Sequence, residues 1–64
     1  MFIELTSKVS KEKYMMNIRH IVAMVPTSDK QGTIISHTND GTDVVDESYE
    51  LVKELIRQAS ERGY

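Results

Sequence analysis

His37-Thr38-Asn39-Asp40-Gly41-Thr42-Asp43-Val44-Val45-Asp46-Glu47-Ser48 admits two readings, and they lead to different folds. Counted from Ser36, Asp40 stands at position five, Gly41 at six and Glu47 at twelve, three fixed points of an EF-hand calcium loop. Such a loop also needs carboxylates at positions one and three and a helix on each side. Ser36 and Thr38 occupy those positions, both neutral, and Thr33-Ile34-Ile35-Ser36-His37-Thr38 is rich in β-branched residues, the composition of a strand. The second reading explains every residue. Asn39-Asp40-Gly41 is turn chemistry, because Asp tolerates and Gly accepts positive φ. Thr42-Asp43-Val44-Val45 then returns as a strand. Asp46, Glu47 and Ser48 offer an N-cap and negative charge where a helix would begin. The stretch reads as a hairpin feeding a helix, with no metal.

Downstream, Leu51, Val52, Leu55, Ile56 and Ala59 recur at three- and four-residue spacing, one apolar stripe along a helix. Arg57 and Arg62 lie toward its end, with Gly63 just beyond. Upstream, Ile21-Val22-Ala23-Met24-Val25 is a β-prone run without charge, closed by Pro26, which cannot donate to a central ladder. Thr27 to Gly32 is a polar loop. Phe2-Ile3-Glu4-Leu5-Thr6 alternates with period two, and Tyr14-Met15-Met16-Asn17 reads as its partner across the polar loop Ser7 to Lys13. Ile18-Arg19-His20 reads as a single tight turn. These pieces predict one α+β domain over residues 1–64: a small antiparallel β-meander of four to five short strands followed by one C-terminal amphipathic helix.

Length and composition narrow the function. A chain of 64 residues buries only about 60% of its unfolded surface, and domains this small are usually stapled by disulfides, a metal or a partner chain. There is no cysteine, which leaves a partner chain as the expected staple. The eight Lys and Arg are dispersed and the net charge is −2, which argues against a nucleic-acid partner. The N-terminus carries Glu4 and no basic segment, so no signal peptide is expected. The run Ile21 to Pro26 is far short of the roughly 20 residues that span a bilayer. A cytoplasmic protein without membrane insertion is the expectation.

Catalysis finds little purchase. His20 and His37 fall on separate elements, and nothing in their spacing pairs them with Asp40 or Asp43 as zinc ligands. Ser7, Ser10, Ser28 and Ser36 lack the glycine-flanked setting of a nucleophile elbow. Lys30-Gln31-Gly32-Thr33 lacks the glycine-rich run that cradles a phosphate. Met15, Met16 and Met24 read as core filler, and the four aromatics do not form an RNA-stacking set among basic residues. The chain is expected not to be an enzyme and to need no cofactor.

Phe2-Ile3-Glu4-Leu5-Thr6, the strand Thr33 to Thr38 with its Asn39-Asp40-Gly41 turn, and the step Val44-Val45-Asp46-Glu47-Ser48 before an amphipathic helix together resemble the FlbD-like family. These are small bacterial and phage proteins from flagellar operons and related settings. Asn17, Ile18 and Ile21 match its middle strand loosely. The chain departs from the family in the added Asp40, in a longer polar Ser7 to Lys13 loop and in a less acidic Val22 to Asp29 segment. The resemblance implies a small non-catalytic regulatory protein and carries over no catalytic residue. Three functions follow as expectations. The first is a homo-oligomeric interaction protein that binds itself or another protein through a sheet edge, with Ile21, Val22, Ala23, Met24 and Val25 as interface, or through the Tyr49–Ile56 helix face. The second is an acidic inhibitor of a host enzyme, phage-encoded for instance, which requires Glu4, Asp40, Asp43, Asp46, Glu47 and Glu50 in one patch. The third is an RNA-binding regulator resembling the carbon-storage regulators. Asn39, Asp40 and Gly41 are expected as the structural turn, and Asp46 and Ser48 as the helix cap.

Overall fold

A computed structural model describes residues 1–38 and 41–62. In chain order the elements are β1 (Phe2–Thr6), β2 (Lys13–Asn17), a single 3-10 turn (Ile18–His20), β3 (Ile21–Pro26), β4 (Thr33–His37), β5 (Gly41–Val45) and α1 (Tyr49–Arg62). The expected α+β architecture is the observed one. The meander is divided, however, into a two-stranded sheet β1–β2 and a three-stranded sheet β3–β4–β5, all pairs antiparallel. The division falls at the 3-10 turn, where the Asn17 side chain accepts from the Arg19 N–H at 3.0 Å and stops the ladder. The two sheets meet again where β1 ends. Ser7 bridges Val45, the Lys8 N–H donates to the Val44 carbonyl and the Asp46 N–H to the Thr6 carbonyl.

Each strand pair turns one face inward. Ile3 opposite Met16, with Leu5 opposite Tyr14, supplies the β1–β2 side of the core. Thr33 opposite Val45, together with Ile35, supplies the β4–β5 side. The helix packs on β1 and β3 and closes the core with Val52. Ile3, Leu5, Met16, Ile35, Val45 and Val52 are the buried hydrophobic residues. Thr33 is buried among them because its hydroxyl donates to the Glu47 carbonyl at 2.8 Å.

Three sequence expectations are corrected. Leu51 does not belong to the buried stripe. It is 46% exposed, and Val52 carries the contact with Leu55, Ile56 and Ala59 packed beside it. Leu51 stands at the edge of the apolar arc, about 100° around the helix from Val52, and so falls outside the contact. Gly41 is not held by a positive φ, since no described glycine has one. It begins β5, where a Cβ would fall 2.5 Å from Cε1 of His37 directly opposite, so the histidine ring takes the space a side chain would need. Asn39 and Asp40, the other turn residues, lie outside the described residues, as does Gly63 after the helix. Asp46 does not cap the helix. Its carboxylate pairs with Lys11 at 3.0 Å and with Lys8 at 4.0 Å, while the Ser48 hydroxyl accepts from the Leu51 N–H at 3.2 Å and is the N-cap.

Candidate functional site

Sheet register decides which side chains share a surface. Val25, Ile34 and Val44 face one another across β3, β4 and β5, and Ala23, Ser36 and Thr42 form the next row. Both rows lie on the face opposite the buried Ile35, because successive strand residues point to opposite sides. Val25 is 51% exposed, and Ile34 and Val44 are half-buried by their neighbours. This outer face carries no charge at any of its six positions. It places part of the expected interface, Ala23 and Val25, on a continuous surface with Ile34 and Val44. Sequence reasoning missed those last two. The available signal was the doublets Ile34-Ile35 and Val44-Val45, since adjacent apolar residues in a strand put one on each face.

The other expected interface residues divide by direction. Ile21 and Met24 turn toward the core and pack against it. Val22 sits at a register shift between Ile21 and Ala23, a bulge that leaves it 68% exposed. The edge itself is nearly closed to pairing. The Thr27 N–H donates to the Gly32 carbonyl at 3.0 Å, so in the alternating ladder Val25–Ile34 and Ala23–Ser36 are the hydrogen-bonded pairs. Met24 and Pro26 therefore point their backbone groups away from β4, and Pro26 has no N–H to offer. Within the regular stretch 23–26 only Met24 presents both a donor and an acceptor to a neighbour.

A second cluster joins the two sheets. The Tyr14 hydroxyl of β2 donates to Asp43 Oδ2 of β5 at 3.1 Å, and His37 Nε2 lies 3.5 Å from Asp43 Oδ1. Burial first, then the negative charge of Asp43 and its hydrogen bond, push the Tyr14 phenol up to about 12, so it remains a protonated donor at neutral pH. His20 bonds Thr38 Oγ1 at 3.0 Å, and with His37, Asp43, Asn17, Phe2 and Met15 it lines one groove. The two histidines thus share a surface that their separation in the chain conceals. Among the described residues, no three His, Cys, Asp or Glu side chains are grouped to hold a metal ion. No buried side-chain polar atom among them lacks a partner, so nothing in the groove is left pointing at a missing ligand. What the Tyr14–Asp43–His37 cluster does chemically is tie β2 to the β4–β5 hairpin.

Glu47 makes a third junction that the sequence did not signal. Its carboxylate accepts from the Thr6 N–H and from the Thr6 hydroxyl, each at 2.9 Å, fastening the end of β1 to the segment entering the helix. Four of the acids expected in one negative patch are each engaged with a different partner. Asp43 serves Tyr14 and His37, Asp46 serves two lysines, Glu47 serves Thr6, and Glu50 pairs with Lys53 at 3.7 Å. On the outer helix face, Arg57 bridges Glu54 and Glu61, and Gln58 donates to Glu54. The Arg57 and Gln58 hydrogen bonds hold the Glu54 carboxyl below its usual range.

No protein-family model, curated protein or solved structure matches the chain. No described helix is long and apolar enough to cross a membrane.

Proposed function

We propose that this chain is a small non-catalytic interaction protein of the regulatory kind, acting as a homo-oligomer in the cytoplasm. The observation that carries this reading is β3: an uncharged strand with one side free, on which Val22 and Val25 are more than half exposed. Single exposed apolar residues are ordinary, but a run of them on one strand and its neighbours marks a contact surface. The small core supports the same reading, because with six buried hydrophobic residues among those described a chain of this length usually draws on a further staple. The resemblance to FlbD-like proteins in β1, the β4–β5 hairpin and the step into the helix supports a regulatory, non-catalytic role. An acidic-inhibitor reading draws no support from acids that are each engaged with a different partner. An RNA-binding reading draws none from Lys8 and Lys11, both of which face Asp46.

Sedimentation equilibrium or light scattering from micromolar to millimolar concentration tests the proposal. A weight-average mass that climbs above 7.3 kDa toward twice that value is the expected result. A constant 7.3 kDa species, with a melting temperature independent of concentration, refutes self-association.

A further inference from the structure

We infer that two copies of this chain associate by stacking the outer faces of their β3–β4–β5 sheets, the Val25–Ile34–Val44 row of one copy crossing that of the other. The inference rests on the homo-oligomer reading above and adds to it the surface that is used. Pairing strand to strand at the β3 edge is the obvious alternative, and the backbone argues against it. The bulge between Ile21 and Ala23 on one side and the missing N–H of Pro26 on the other leave Met24 as the single full pairing position of the regular stretch. A bulge and a proline are the usual means by which an edge strand is protected from pairing.

The face has the opposite character. Ala23, Val25, Ile34, Ser36, Thr42 and Val44 give it no charge, and three aligned β-branched side chains run across its centre. The other solvent-facing surfaces mix exposed apolar residues with charges. The outward side of the β1–β2 sheet exposes Phe2 and Met15 but sets Glu4 opposite Met15 and carries Lys13 as well, and the helix shows Glu50, Lys53, Glu54, Arg57 and Glu61 beside Leu51. A partner covering the outer face must itself bring no unpaired charge, since a buried one is costly. Among the described surfaces of this chain, the one that meets this requirement is the same face on a second copy, and a two-fold axis makes it self-complementary. Its size sets the strength. With about 3.3 Å per residue and about 4.8 Å between strands, the face measures about 16 Å by 14 Å. That is well under the roughly 800 Å² each partner contributes to a standard interface. The dimer is therefore weak and concentration-dependent.

Two measurements on the intact chain decide it. Sedimentation is run on wild type, Val25→Lys and Ile34→Lys, with circular dichroism to establish that each variant is folded. Amide exchange at Met24 is followed in wild type at low and high concentration, which needs no variant at all. Face stacking places like charges against each other in both variants, so association should weaken about tenfold or more, while the Met24 amide exchanges equally fast at both concentrations. A wild-type dimer in which the Met24 amide becomes protected, or one that both folded variants form as readily as wild type, overturns face stacking and leaves the homo-oligomer reading standing. A wild type that stays monomeric at millimolar concentration defeats both.

Discussion

The two sheets of this small fold are built on different patterns. In β1–β2 the strands alternate: Ile3, Leu5 and Met16 are buried, while Phe2, Glu4 and Met15 face out. In β3–β4–β5 they do not. β3 is apolar from end to end, and β4 and β5 each carry a doublet, so Ile35 and Val45 are fully buried while Ile34 and Val44 sit on the far side. Both faces of the second sheet carry apolar residues, and the helix packs on the Ile35 side. Burial here follows from what lies above a residue, not from its hydrophobicity.

Neighbouring residues of β4 test the contrast most sharply. Ile35→Ala should cost about 2–5 kcal/mol, because it empties a fully enclosed site. Ile34→Ala should cost less than about 1 kcal/mol in the monomer, losing contacts on one side only. Equal losses in urea unfolding at low concentration would mean that the outer face is already covered within the chain.

The joint between the sheets comes next in size. Glu47→Ala removes both acceptors and leaves the part-buried Thr6 N–H without its partner, and a loss of about 1–3 kcal/mol is expected. Chemical denaturation checks it, and a neutral result would show that the sheets are held by the core alone. The way the helix is attached gives a smaller contrast. Ser48→Ala removes the cap and should cost about 1 kcal/mol, whereas Asp46→Ala removes only exposed ion pairs worth about 0–1 kcal/mol. Thermal melts that reverse this order would restore Asp46 as the cap.

The smallest effect concerns Tyr14. At neutral pH Tyr14→Phe loses one hydrogen bond to Asp43, about 0.5–1.5 kcal/mol. The distinctive signature lies at high pH. The phenol titrates at about 12 in the folded chain against an ordinary 10, so between these values the unfolded state binds fewer protons. Stability must then fall as pH rises through that window. The decline should be shallower in Tyr14→Phe than in wild type, and parallel melting curves from pH 9 to 12 would disprove the Tyr14–Asp43 bond.

The local sequence determined most of the elements of this chain. Period-two alternation placed β1, the uncharged run ending in Pro26 placed β3, and the doublet-bearing strands around Asn39-Asp40-Gly41 placed the β4–β5 hairpin. The three- and four-residue spacing placed α1, and its cap was narrowed to Asp46 or Ser48. All of these depend on residues close together in the chain, where backbone geometry and side-chain direction leave few choices. Tertiary structure decided which carboxylate met which partner and which apolar residues stayed outside. Asp46 turned to lysines, Glu47 to Thr6 and Asp43 to Tyr14 and His37, because a carboxylate bonds whatever donor the packed strands bring within reach. Leu51 and Ile34 remained accessible while Val52 and Ile35 were enclosed. One-residue steps reverse a strand's face and swing a helical side chain by about 100°, and only the position of the covering element says which side is the inside.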